Sequence, residues 1–197
     1  MKKTLFLLLL IIFPTKTFAL IKVDITRGNL NPLPIAVSPL SIDENSRKSF
    51  EKVLKKKNIG SDISTVVEKN LKTSGLFNPL NKDAFLQAPD IANLKPRFED
   101  WNLIKAQALI TGKVNFVDEK LRVEFRLWDV LAGKEMLALA FTTVPNNWRR
   151  VGHIITDKVY ERLTGERGYF DTRIIYVAEE GPKTNRIKKL AIMDQDG

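Results

Sequence analysis

Residues 121 to 128 alternate without a break. Leu121, Val123, Phe125 and Leu127 fall on one side, and Arg122, Glu124, Arg126 and Trp128 on the other. A period of two is that of a half-buried strand, so Leu121 to Asp129 is expected to be one. Ala108 to Val117 before it and Glu135 to Val144 after it predict two more strands. Asp118-Glu119-Lys120 and Ala132-Gly133 are the turns between them, and connections so short join antiparallel neighbours. On either side of this block the period changes to 3.6. Ile63, Val66, Val67 and Leu71 predict a helix from about residue 62 to 74, opened by Ser61 or Asp62 and closed by Gly75. Val151, Ile155, Val159 and Leu163 predict a second helix over Trp148 to Leu163, with Gly165 just past its end.

The remaining segments add less. Ile35 to Val37 is a brief apolar run that reads as a buried strand. Arg97 to Trp101 predicts one or two helical turns. Ser41 to Asn58 is polar, with Phe50, Val53 and Leu54 at helical spacing, and reads as a surface excursion with room for a short helix. The sum is an α/β domain over residues 33–165: a small mixed or antiparallel sheet with two main helices. Residues 166–172 form a linker. Beyond it, Arg173 to Ala178 and Arg186 to Met193 read as strands around a polar loop, and Asp194-Gln195-Asp196-Gly197 is turn chemistry. A two-stranded hairpin alone is marginal in water. Residues 173–197 are therefore expected to open a second, β-rich domain that is incomplete here.

The amino-terminus has its own pattern. Lys2 and Lys3 precede an unbroken apolar run from Leu5 to Phe13, then Pro14, then small residues at Thr17 and Ala19. That order is a secretory signal peptide over residues 1–19, cleaved between Ala19 and Leu20. A spanning helix would need about 20 apolar residues, more than this run supplies. Residues 20–32 form a strand and tether. Ile21, Val23 and Ile25 alternate with Lys22, Asp24 and Thr26, then Arg27-Gly28 breaks the run. Such a segment either edges the domain's own sheet or adds a strand to a partner's exposed edge.

Composition narrows the chemistry. The net charge is +9, and loss of Lys2, Lys3 and Lys16 with the signal would leave +6. A positive balance suits anionic partners, but export argues against nucleic acid. The one local cluster, Lys55-Lys56-Lys57, reads as a solvated face. A stand-alone basic domain that binds anionic lipid or cell wall is the alternative it would support. The chain has no Cys and a single His, His153. These counts remove thiol chemistry and most routes to a metal centre. His153 has no glycine-flanked Ser nearby and reads as an ordinary helix residue. The acid pairs Asp118-Glu119 and Glu179-Glu180 lie in turns. Asp194-x-Asp196-Gly197 has its Gly too early for a calcium loop. No catalytic, metal or cofactor residues are assigned, and no small-molecule substrate is expected.

Three strings carry a family likeness. Pro34-Ile35-Ala36-Val37-Ser38-Pro39 matches a first domain strand. Leu71-Lys72-Thr73-Ser74-Gly75-Leu76-Phe77-Asn78-Pro79-Leu80 matches a helix exit. Asp157 to Gly165, followed by Phe170-Asp171-Thr172-Arg173-Ile174-Ile175-Tyr176-Val177, matches a domain junction. In these strings, and in the order of its parts, the chain resembles the TolB family of the Tol–Pal envelope system. The resemblance implies a non-enzymatic periplasmic scaffold that maintains outer-membrane integrity and serves envelope constriction during cell division. It implies an α/β domain similar in topology to anticodon-binding domains, followed by a β-propeller that docks Pal. It also implies that the mature amino-terminus binds TolA, here through Ile21, Lys22, Val23, Asp24, Ile25, Thr26, Arg27 and Gly28. The chain departs from the family in its Lys-rich stretch at 41–58 and in reaching only the first propeller blade. It therefore reads as a truncated form or a gene remnant, with Pal binding dependent on the rest of the propeller.

Overall fold

The computed structural model describes residues 31–197. The predicted signal, its cleavage point and the segment Ile21 to Gly28 lie outside the described residues. In chain order the strands are β1 (Leu33–Val37), β2 (Ser41–Ile42), β3 (Phe77–Pro79), β4 (Ala108–Val117), β5 (Lys120–Asp129), β6 (Lys134–Thr143), β7 (Arg173–Glu180) and β8 (Ile187–Asp194). The α-helices are α1 (Glu44–Leu54), α2 (Ile59–Thr73), α3 (Pro89–Leu94), α4 (Phe98–Leu103) and α5 (Trp148–Thr164).

The main sheet has the order β3-β1-β4-β5-β6, with β2 also on β4. It is mixed. β1 runs parallel to β3 and β4, while β4, β5 and β6 form an antiparallel meander. β4 is the dividing strand. Ala108, Ile110 and Val114 point to one face, where they meet Ile63, Val67, Leu71, Val151, Ile155, Val159 and Leu163. Leu109 points to the other, onto Ala36, Ala92, Trp101 and Ala106. The alternation of β5 is realised in full: Leu121, Val123, Phe125 and Leu127 are buried against the helices. On the far face, Trp128 donates from Nε1 to Thr111 Oγ1 at 2.9 Å. Gln87 organises the short helices there. Its Oε1 accepts from Arg97 N and Trp101 Nε1, each at 2.9 Å.

The helices α2 and α5 cross in close contact. A Cβ added at Gly152 would sit 2.8 Å from Val66 Cγ1, so only glycine lets the two backbones come this near. Gly75 and Gly165 take positive φ past the ends of α2 and α5, as the sequence predicts.

The stretch 41–58 departs from expectation. It is not a surface excursion but a strand-and-helix unit that closes one side of the core. Its apolar face is thin: of Phe50, Val53 and Leu54 only Phe50 is fully buried, edge-on to Phe116 at 5.1 Å, while Val53 stays exposed. Polar contacts supply the rest. Asp43 caps α1, accepting from Ser46 N at 2.9 Å and from Ser46 Oγ at 2.7 Å. Ser46 Oγ accepts in turn from Phe116 N at 2.9 Å, which ties the cap to β4. Among the described residues α1 is thus a third, shorter helix beside the two main ones. α2 also begins at Ile59, earlier than the sequence suggests, because Ile59 is buried with the core.

Two outcomes test this account. Asp43→Ala should cost about 1 kcal/mol of unfolding free energy at neutral pH. The hydrogen bonds from Ser46 hold the Asp43 carboxyl below its ordinary value of 3.8. Its contribution is therefore present above that value and lost as pH falls through the lower folded one. Urea titrations at neutral and acid pH should show the gap between parent and variant closing on acidification. Gly152→Val should cost about 1–3 kcal/mol by forcing α2 from α5, seen as a lowered urea midpoint.

Candidate interaction surfaces

The carboxy-terminal strand pair carries a dense group of exposed apolar side chains. β7 and β8 pair antiparallel from Arg173 opposite Asp194 to Glu180 opposite Ile187. Opposed residues share a face. Ile175 with Ile192 and Val177 with Leu190 make one apolar quartet, and Leu190 is 78% exposed. Ile174, Tyr176 and Met193 lie on the other face and are also exposed. Contiguous apolar surface of this kind marks a contact site.

The pair is held to the domain at two places, the first on α5 and the second on α5 and α2. Near the start of β7, Asp157 accepts from Phe170 N at 2.7 Å through Oδ1 and from Asp171 N at 3.1 Å through Oδ2. Arg150 grips Asp171 with both Nε and Nη2, and this partner raises the Arg150 pKa. Phe170 is fully buried and packs on Tyr160 and Tyr169. Burial also raises the Tyr160 hydroxyl. The stretch read as a linker is thus pinned along part of its length.

At the other end, past β8, the turn Asp194-Gln195-Asp196 lies on α2 and α5. Arg149 Nη2 meets Asp196 Oδ2 at 2.6 Å, and Arg149 Nε lies 3.8 Å from Asp194 Oδ2. Lys69 Nζ donates to the Asp196 carbonyl at 3.1 Å. His153, read from sequence as an ordinary helix residue, is 2% exposed. Its Nε2 lies 3.6 Å from Asp196 Oδ1, and Asn70 Nδ2 lies 2.9 Å from its Nδ1. Arg149, His153 and Asp157 recur every four residues, so a single stripe of α5, beside its core stripe, faces the carboxy-terminal segment. The local sequence signal for this second stripe is weak, because its residues are polar and look solvated.

His153, Asp194 and Asp196 each offer a ligand atom, and these lie within 4.8 Å of one another. The set does not fit a metal. The Arg149 guanidinium already bridges both carboxylates, and Arg173 Nε lies 3.9 Å from Asp194. Fixed cations occupy the role a divalent ion would take.

Other features narrow the function. Two grooves among the described residues, of about 400 and 650 Å³, are lined by Leu40, Arg47 and Asp90 and by Glu68, Lys72 and Lys82. The chain's single His lies in neither, so no imidazole base faces them. In the Lys-rich cluster, Lys56 pairs with Asp62 and stacks over Trp148, and Lys57 pairs with Glu51. Two of the three charges are thus engaged, which weakens the lipid-binding alternative. No helix among the described residues is long and apolar enough to cross a membrane.

Comparison with known proteins gives a consistent picture. The model of the TolB amino-terminal domain matches residues 21–136. The Tol-Pal system protein TolB of Pelagibacter ubique (strain HTCC1062) is 82% identical over 190 residues, which is 96% of this chain and 43% of that protein. The chain thus spans less than half the length of that relative. The crystal structure of TolB from Acinetobacter baumannii superposes with a TM-score of 0.67 at 24% identity, over 84% of this chain and 37% of that one. At that identity the likeness concerns the fold.

The exposed quartet makes a prediction. Ile175→Lys with Leu190→Lys should lower concentration-dependent association of the 197-residue chain, measured by light scattering. The urea midpoint of the α/β domain should be unchanged, since neither side chain reaches its core.

Proposed function

The chain belongs to the TolB family, whose members are periplasmic, and from that premise we propose that it acts as a non-enzymatic scaffold of the Tol–Pal system. Its work is to bind other envelope proteins, and through them to serve outer-membrane integrity and constriction at division. The segment Ile21 to Gly28 is the contact for TolA. Residues 33–165 carry it on a folded domain, and residues 173–197 begin the β-domain that follows.

One observation supports the TolA assignment above the others. The family match reaches back to Ile21, so the alternating segment belongs to the matched domain although it precedes the first core strand at Leu33. An extended segment of this kind offers backbone N–H and C=O groups for affinity and alternate side chains for specificity. Ile21, Val23 and Ile25 would be buried on the partner, and Lys22, Asp24 and Arg27 would set charge register at the rim. A Pal contact is proposed only for a chain that carries the rest of the propeller.

Three measurements test this reading. Intact-mass analysis of the exported protein should place its first residue at Leu20. A peptide spanning Leu20 to Leu30 should bind the TolA carboxy-terminal domain in calorimetry. Deleting Leu20 to Thr26 should abolish binding by the mature protein while its circular dichroism and urea midpoint stay unchanged. Equal binding by the deletion variant and the parent would sink the assignment.

A further inference from the structure

Asn70 and His153 are an unusual pair to find between two packed helices. Both are buried, on α2 and α5 respectively, and they sit where Gly152 lets the helices touch. Each needs hydrogen-bond partners, because an unsatisfied buried polar group costs free energy comparable to a lost hydrogen bond. The helices satisfy only part of that need. Asn70 Nδ2 donates to Thr156 Oγ1 at 3.2 Å and to His153 Nδ1 at 2.9 Å. This leaves Asn70 Oδ1 and His153 Nε2, and the turn after β8 gives the first a hydrogen bond and lies close to the second. Gln195 Nε2 donates to Asn70 Oδ1 at 2.9 Å. Asp196 Oδ1 stands 3.6 Å from His153 Nε2, and neither atom has any nearer partner.

The donors and acceptors run in one consistent direction. Asn70 uses its amide nitrogen toward Nδ1, so Nδ1 is the acceptor and the imidazole proton sits on Nε2. Nε2 is then a donor aimed at a carboxylate whose side chain is only 5% exposed. The chain reads Gln195 to Asn70 to His153 to Asp196, leaving the turn and returning to it. Arg149 closes the circuit on the other oxygen of Asp196.

We propose that Asn70 and His153 form a polar socket on the α2–α5 helix pair whose specific occupant is the Asp194-Gln195-Asp196 turn of the same chain. Docking of this turn sets the orientation of the β7–β8 pair, and of whatever is built on it, relative to the amino-terminal domain. Asp196 is the key residue of the occupant, since it alone is held from both helices, by Arg149 on α5 and by Lys69 on α2, and its other carboxylate oxygen stands nearest His153 Nε2. Gln195 supplies the discrimination, because a side chain without an amide donor leaves Asn70 Oδ1 unmet.

The absence of cysteine allows a clean test. Lys72→Cys on α2 and Lys183→Cys in the β7–β8 loop, both exposed, accept spin labels in the full chain. The distance between the labels should be a single narrow distribution. Asp196→Ala and Gln195→Ala lie on the turn, outside the helical core, and leave the domain folded. Each should broaden the distribution and speed amide exchange in residues 187–197 by about tenfold or more. Asn70→Leu and His153→Leu should do the same wherever they fold. A distribution that stays narrow in both turn variants, with unchanged exchange, overturns the proposal. EDTA should leave the parent unaffected. If EDTA alone broadens the distribution, a bound cation rather than the socket holds the turn, and the proposal fails.

Discussion

The fold depends on β4 being covered on both faces. A strand in that position needs apolar side chains of both parities, and β4 has them in Ala108, Leu109 and Ile110. One parity fixes α2 and α5; the other fixes the short helices around Trp101. β4 is also where the sheet changes sense, with parallel neighbours on one edge and an antiparallel one on the other. A shift of β4 by one residue would exchange the two cores and unseat both layers at once. That is why the register is so strongly determined here and so weakly at the margins.

The two layers divide the work of the molecule. The layer of short helices holds itself together through Gln87 and Trp101. The layer of α2 and α5 faces outward along a polar stripe, and there the domain meets the carboxy-terminal strand pair. The stripe is strongly charged, yet each charge described on it has a partner across the seam. Matched charge gives orientation more than strength. The scaffold role proposed above would draw on that property, since it requires contacts held in fixed relation.

The meander β4-β5-β6 was legible because its pattern repeats with few exceptions and its turns are short. The helices α2 and α5 were legible for the same reason. α1 was legible only as room for a short helix, because its buried face rests on Phe50 and is completed by hydrogen bonds that Asp43 accepts from Ser46 and Ser46 from Phe116 N, and both residues look solvent-facing in sequence. His153 was misjudged for a related cause. Its surroundings are supplied by Asn70 and by a turn, and Gln195 reaches Asn70 across 125 positions of sequence. No local window contains such a contact. The amino-terminal segment is the opposite case: its pattern is plain, its place in the family is supported, and its geometry lies outside the described residues.

The β7–β8 pair meets α5 at Asp157 and, two turns away, at Arg149, and its second attachment also rests on Lys69 and Asn70 of α2. A rigid body fixed at two points would keep one freedom, rotation about the line that joins them, and a contact off that line removes it. Here that line runs along α5. The strand pair is therefore mounted like a latched door, with α5 as the hinge post and Lys69 and Asn70 of α2 as the latch. Release of the Asp196 end alone would turn the door into a pendant, free to swing in every direction from the single pin at Asp157.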